Sequence, residues 1–258
     1  MKTTKFFTSI LLFALLFVGC SSDKSGAYQM VFVEGGSFMM GCDEKSNNDC
    51  QKNELPMHEV NVESFYIGKY EVTQRQWKDI MDTNISNNQC EDCPVTNVSY
   101  NEIQEFLQRL RQKTGINYRL PTEQEWEYAA KGGIKKNTFK YSGSDNLSDV
   151  AWYINNSDNI THKVGTKKAN EIGIYDMSGN VWEYTSTPYR AYGEANEELV
   201  GQNSDSNYYA IRGGCFDFVS QTSRIVYRGS ILPNVQTIGL GFRLAYDETE
   251  AQKVNKEK

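Results

Sequence analysis

Apolar residues in this chain gather in short bursts separated by long polar stretches, and only some of the bursts keep a regular period. Met30 to Phe38, with Gly35-Gly36 inside it, and the alternating run Glu59 to Ile67 predict strands. Three later segments open with a hydroxyl residue followed three positions on by Glu or Gln: Thr73 with Gln76, Ser99 with Glu102, and Thr122 with Glu125. That spacing predicts helix starts, because each side chain can satisfy the other residue's free backbone amide. After Ser99 the residues Ile103, Phe106, Leu107 and Leu110 fall on one helical face. Pro121 stands just ahead of the third start, where a missing amide costs little. From about Gly132 onward the pattern dissolves into loops and short strands, with Tyr209 to Arg212 and Gly241 to Tyr246 as closing strands. Helices beside short strands in a long irregular chain make the class α+β.

The N-terminus belongs to a different pattern. Lys2 and Lys5 precede an apolar run from Phe6 to Val18, followed by Gly19-Cys20-Ser21-Ser22, which predicts an export signal over residues 1–19. The run is too short to span a membrane comfortably. Phe17-Val18-Gly19-Cys20 resembles a bacterial lipobox, which implies that Cys20 is acylated and becomes the mature N-terminus; a plain secretory signal with an incidental Cys20 is the other reading. Several acyl chains on one residue hold a protein stably at a membrane, where a single chain would not. The expected location is therefore the cell envelope, with the outer membrane of a Gram-negative bacterium as the site of the lipid. Residues 20–29 form a tether, 30–247 one domain and 248–258 a charged tail.

Removing residues 1–19 takes two lysines from the 27 basic residues and none from the 33 acidic ones, so the formal charge moves two units below −6. No basic stripe is visible, which argues against a nucleic-acid partner. With 16 Tyr, 12 Phe and 4 Trp, the core should be packed by aromatic rings more than by leucines.

Exported cysteines can pair. Cys42 with Cys50 and Cys90 with Cys93 are the nearest local pairings, leaving Cys215 over. Zinc is the rival reading of Cys90-x-x-Cys93, but no second such pair or histidine cluster accompanies it.

Four segments now carry a resemblance. Tyr70-Glu71-Val72-Thr73-Gln74, Pro94-Val95-Thr96-Asn97-Val98-Ser99-Tyr100, Arg119-Leu120-Pro121-Thr122 and Gly179-Asn180-Val181-Trp182-Glu183 stand in order ahead of Arg212-Gly213-Gly214 and Gly241-Phe242-Arg243. This series resembles the formylglycine-generating, or sulfatase-modifying factor, family from about Met30 to Asp247. The resemblance implies that family's variant of the C-type lectin-like fold, with little regular secondary structure.

It also implies a chemistry, which the residues then question. The family enzyme oxidises a cysteine of its substrate with molecular oxygen, using copper held by two cysteines soon after Arg-Gly-Gly. Thiolates suit copper(I), but Phe218 and Ser223 stand at those two positions, so copper is not expected. An iron-dependent activity of the wider family needs clustered histidines, and this chain has only His58 and His162. Glu123 and Glu127 share a helical face and Glu125 serves a cap, so catalytic carboxylates are not assigned. Calcium is the metal the resemblance supports: carboxylates of Asp176 and Glu183 with backbone carbonyls of Gly179 and Val181, the alternative being a tight turn closed by hydrogen bonds.

Between Arg-Gly-Gly and Gly-Phe-Arg, the residues Phe216, Asp217, Phe218, Ile225, Tyr227, Ile231 and Leu232 are either core or a ligand face. This layout resembles lipoprotein targets of diversity-generating retroelements. The sequence therefore predicts a lipid-anchored, non-catalytic binding or structural module with an unknown protein or glycan ligand, a variable surface receptor being one form. An accessory component of an envelope motility or secretion complex and a formylglycine-generating-type oxidoreductase with a divergent site are the alternatives.

Overall fold

The two strand segments near the start of the domain form one bent ribbon. In a computed structural model that describes residues 28–45, 49–135, 138–193 and 208–251, β1 (Met30–Val33) pairs antiparallel with β4 (Phe65–Gly68), and β2 (Gly36–Met40) with β3 (His58–Val62). The register runs through the break without a slipped residue, from Met30 opposite Gly68 to Met40 opposite His58. The bend falls at Glu34-Gly35 and Glu63-Ser64, where the backbones touch: a Cβ on Gly35 would lie 2.6 Å from the Val62 carbonyl oxygen. The signal segment, Cys20 and most of the tether and tail lie outside the described residues.

All three predicted helix starts are capped as their spacing requires. Thr73, Ser99 and Thr122 accept from the amides three residues on, and Gln76, Glu102 and Glu125 reciprocate, opening α1 (Gln74–Met81), α2 (Tyr100–Thr114) and α3 (Glu123–Ala130). The stripe Ile103, Phe106, Leu107 and Leu110 is buried, and Phe106 stacks on Trp77 of α1 with Phe242 edge-on to both. A short α4 (Leu147–Val150) follows.

Sheet order is β1-β4-β9 in one layer and β7-β6-β5-β8 in another, with β5 (Trp182–Pro188), β6 (Tyr209–Arg212), β7 (Gly229–Ile231), β8 (Leu240–Gly241) and β9 (Ala245–Asp247). The predicted single strand over Gly241 to Tyr246 is thus two strands in two sheets, divided so that Arg243 can reach between the layers. No helix among the described residues is long and apolar enough to cross a membrane.

Candidate functional site

The motif residues converge on buried ion pairs. Helix α3 carries Glu123 and Glu127 inward, where Glu123 accepts from Arg228 Nε and Nη2 at 2.7 and 2.8 Å, and Glu127 from Arg212 of β6. Glu183 on β5 accepts from Arg243 through both oxygens at 2.6 Å, and Glu54 does the same for Arg224 at 2.6 and 3.0 Å. All eight side chains are at most 3% exposed. An isolated charge at such depth would be prohibitive, whereas a hydrogen-bonded pair is tolerated; three of the four are two-pronged, and Arg212, which meets Glu127 through Nη2 alone, adds the carbonyls of Val226, Tyr227 and Ile225 while its Nε is left without a partner. Arg243 also donates to the carbonyls of Gly68 and Tyr175, joining three distant segments. Burial pushes the Glu127 carboxyl up, but Lys131 and Arg212 beside it prevail and hold it down at about 2. Each of these carboxylates is engaged by an arginine.

Glu183, a predicted calcium ligand, already faces a cation of the protein. Its two oxygens accept from Arg243, and one also from Trp126 Nε1 at 2.7 Å, so a cation bound there would share the carboxylate with the guanidinium. Asp176 differs: Oδ2 accepts from the Gly165 amide at 2.7 Å while the buried Oδ1 has no hydrogen-bond partner. Glu71 lies in the same electrostatic neighbourhood, where it accepts from Asn180 Nδ2 and the Val181 amide. Burial and the neighbouring carboxylates push Glu71 well above its ordinary range, and burial pushes Asp176 up to about 6. Asp176, Glu71 and Glu183 outnumber the single Arg243 among them, an excess of negative charge that a cation near Asp176 Oδ1 would relieve. Asp176 and Asn180 take left-handed backbone angles, and Gly179 between them is obligatory, because a Cβ there would lie 2.3 Å from the Trp152 carbonyl oxygen.

The positions of the family's copper thiols are filled differently. Ser223 is fully buried and Phe218 is 46% exposed, its ring edge-on to Trp182. Cys215 is the free thiol among the described residues; its Sγ lies 3.0 Å from Asp217 Oδ1, and burial followed by Asp217 pushes the thiol far up. A buried thiol held protonated beside a carboxylate, without a second thiol, does not fit copper(I).

The predicted ligand face divides in two. Phe216 and Ile225 are 3% and 2% exposed and belong to the core, which corrects their assignment; Tyr227, Ile231 and Leu232 are half-buried, and Tyr227 and Ile231 pack against the core cluster. Phe218 remains outside, and sequence reasoning missed its company. Val219, Ile154 and Ile238 are exposed too; the Ile154 amide donates to the Phe218 carbonyl, and Gly239 packs on Cys215 close to Asp217.

With this fold and this site, the chain belongs to the sulfatase-modifying factor enzyme 1-like domain family, whose model matches residues 20–248. It is 33% identical to the chaperone protein LppX of Paenibacillus barcinonensis, over 86% of this chain and 89% of that protein. Among solved structures it is similar to Treponema denticola variable protein 1 (TM-score 0.74, 26% identity, 85% of this chain and 95% of that one). PvdO from Pseudomonas aeruginosa is equally similar (TM-score 0.74, 26% identity, 86% and 95%).

Proposed function

We propose that this chain is a non-catalytic, lipid-anchored binding module of the cell envelope, whose exposed apolar face around Phe218 holds extended apolar segments of other polypeptides. The observation that carries the reading is the replacement at the family's metal position: an exposed phenylalanine, followed by exposed Val219 and joined through its carbonyl to exposed Ile154, stands where a copper thiol would be needed. Clustered exposed apolar side chains mark interaction sites, and aromatic anchors supply much of the binding energy in such faces. Similarity to a chaperone protein over nearly its full length favours a polypeptide over a glycan as the ligand.

The test is suppression of aggregation of a heat-denatured client enzyme. Wild-type protein should keep the client in solution, and Phe218→Ser should lose most of that effect while remaining folded; equal protection by the two proteins would overturn the reading. Anchoring rests on Phe17-Val18-Gly19-Cys20 and is tested separately. Radiolabelled palmitate should enter wild type and not Cys20→Ala, and membrane fractionation should then place the lipid in the outer membrane.

Calcium has a place in this proposal as a stabiliser, with Asp176 Oδ1, the carbonyls of Gly179 and Val181 and a Glu183 oxygen shared with Arg243 as its ligands. Thermal melts should rise with calcium and fall with chelator in wild type, with a smaller shift in Asp176→Ala. Identical melts would assign the segment to a hydrogen-bonded turn. The likeness to variable protein 1 supports a second form of the same binding role, a receptor whose residues 215–239 vary. Comparison of that segment between strains separates it from a general polypeptide binder.

A further inference from the structure

We propose that the Cys90–Cys93 disulfide is a thiol–disulfide exchange site for cysteine-bearing polypeptides held on the Phe218 face. The inference rests on the polypeptide-binding reading and adds a covalent step to it.

The two disulfides are built differently. Cys42–Cys50 closes a loop of sequence separation 8, and the carboxylate of Glu54 lies within 4.8 Å of its sulfurs, where it would oppose a thiolate. Cys90–Cys93 has a separation of only 3, so opening it releases little chain. Its sulfurs are unequal: Cys93 is 2% exposed, whereas Cys90 is half-buried and the one an incoming thiol can reach. The turn is tied to the start of α1, whose Gln74 and Arg75 amides donate to the Cys93 and Glu91 carbonyls. Positive charge nearby favours a leaving thiolate. The two acids between the cysteines would oppose it, but Arg75 pairs with Glu91 and Asp92, both at 2.9 Å, and Lys163 stands 3.5 Å from Asp92.

One segment links this pair to the apolar face. The Val164 amide donates to the Asp92 carbonyl, Cys93 Sγ lies 3.8 Å from the Thr161 carbonyl, and Ser157 Oγ donates to the Phe216 carbonyl at 2.7 Å. Ile160, 45% exposed, sits between these anchors. A polypeptide bound at Phe218 and extending along residues 157–164 would bring its cysteine to Cys90.

The exchange balances without an outside oxidant. A client thiolate attacks Cys90 Sγ, the Cys90–Cys93 bond breaks, and Cys93 leaves as a thiolate that takes up a proton. A second client thiolate then attacks the client sulfur of the mixed disulfide, and Cys90 leaves. The client loses two electrons and two protons as its disulfide forms, and the Cys90–Cys93 pair gains both. Each protein molecule performs this once.

The first test titrates the full chain with dithiothreitol and reads alkylated cysteines by mass spectrometry. Cys90 and Cys93 should open at about tenfold less reductant than Cys42 and Cys50; equal resistance overturns the proposal. In the second, Cys93→Ala is mixed with the disulfide-linked dimer of an apolar single-cysteine peptide, or of a charged one. The apolar peptide should attach to Cys90 about tenfold faster, and Phe218→Ser should abolish that preference but not exchange with glutathione disulfide. No attachment, or no preference, overturns the inference. Failure here leaves the binding reading intact if Cys90→Ser with Cys93→Ser still suppresses aggregation of a cysteine-free client.

Discussion

Within the stretch 212–228, two sets of side chains have opposite fates. Arg212, Arg224 and Arg228 turn inward to Glu127, Glu54 and Glu123, while Phe218 and Val219, from the same stretch, stand in solvent. The inward set is tied to partners up to 170 residues away and cannot change singly without stranding a buried charge. The outward set touches little that the fold needs. The motifs that mark this family are therefore signatures of its scaffold, and carry no guarantee of its chemistry.

Four substitutions sharpen or break that contrast. The largest effect should come from Arg243→Ala, which leaves Glu183 buried without its cation; a loss of about 3–5 kcal/mol in urea unfolding is expected. A loss below about 1 kcal/mol, the scale of a surface ion pair, would mean that the pairs do not hold the fold. Acid probes the same lattice. Because the folded protein holds Glu127 at about 2 against an ordinary 4.5, its contribution is complete above pH 4.5 and disappears as the pH falls toward 2. About 3 kcal/mol should be lost over that window, and Glu127→Gln should show the loss already at pH 7 with a shallower acid limb. Next comes the cap that aims both α3 carboxylates: Thr122→Ala should cost about 1 kcal/mol. Smallest is Phe218→Ser, within about 0.5 kcal/mol of wild type in the same unfolding measurement. A larger cost there would place Phe218 in the core and erase the division.

What the sequence revealed follows how far its signals reach. The caps at Thr73, Ser99 and Thr122 and the apolar stripe of α2 depend on neighbours within a turn or two, and each stands as read. Cys42–Cys50 and Cys90–Cys93 pair as their proximity suggests. The Arg–Glu pairs were invisible because their partners lie 60 to 170 residues apart, so nothing near Glu183 announced Arg243 beside it. The ligand face was half legible: composition selected Phe216, Phe218 and Ile225 alike, and only the backbone path of residues 215–225 buries the first and last and leaves Phe218 outside.

The sheet order β1-β4-β9 has a consequence for how the chain could be rewired. Val31 and Ala245 flank Ile67 from its two sides, so the first and last strands of the domain lie about 10 Å apart, two interstrand spacings, although the chain between them visits every other element. Both run antiparallel to β4 and therefore parallel to each other, so Asp247 lies level with Val33 and a linker from β9 to the start of β1 must cross back over β4. A circular permutant that joins β9 to β1 through a crossover of about a dozen residues and opens at an exposed loop such as Asn155 would keep every pairing described above.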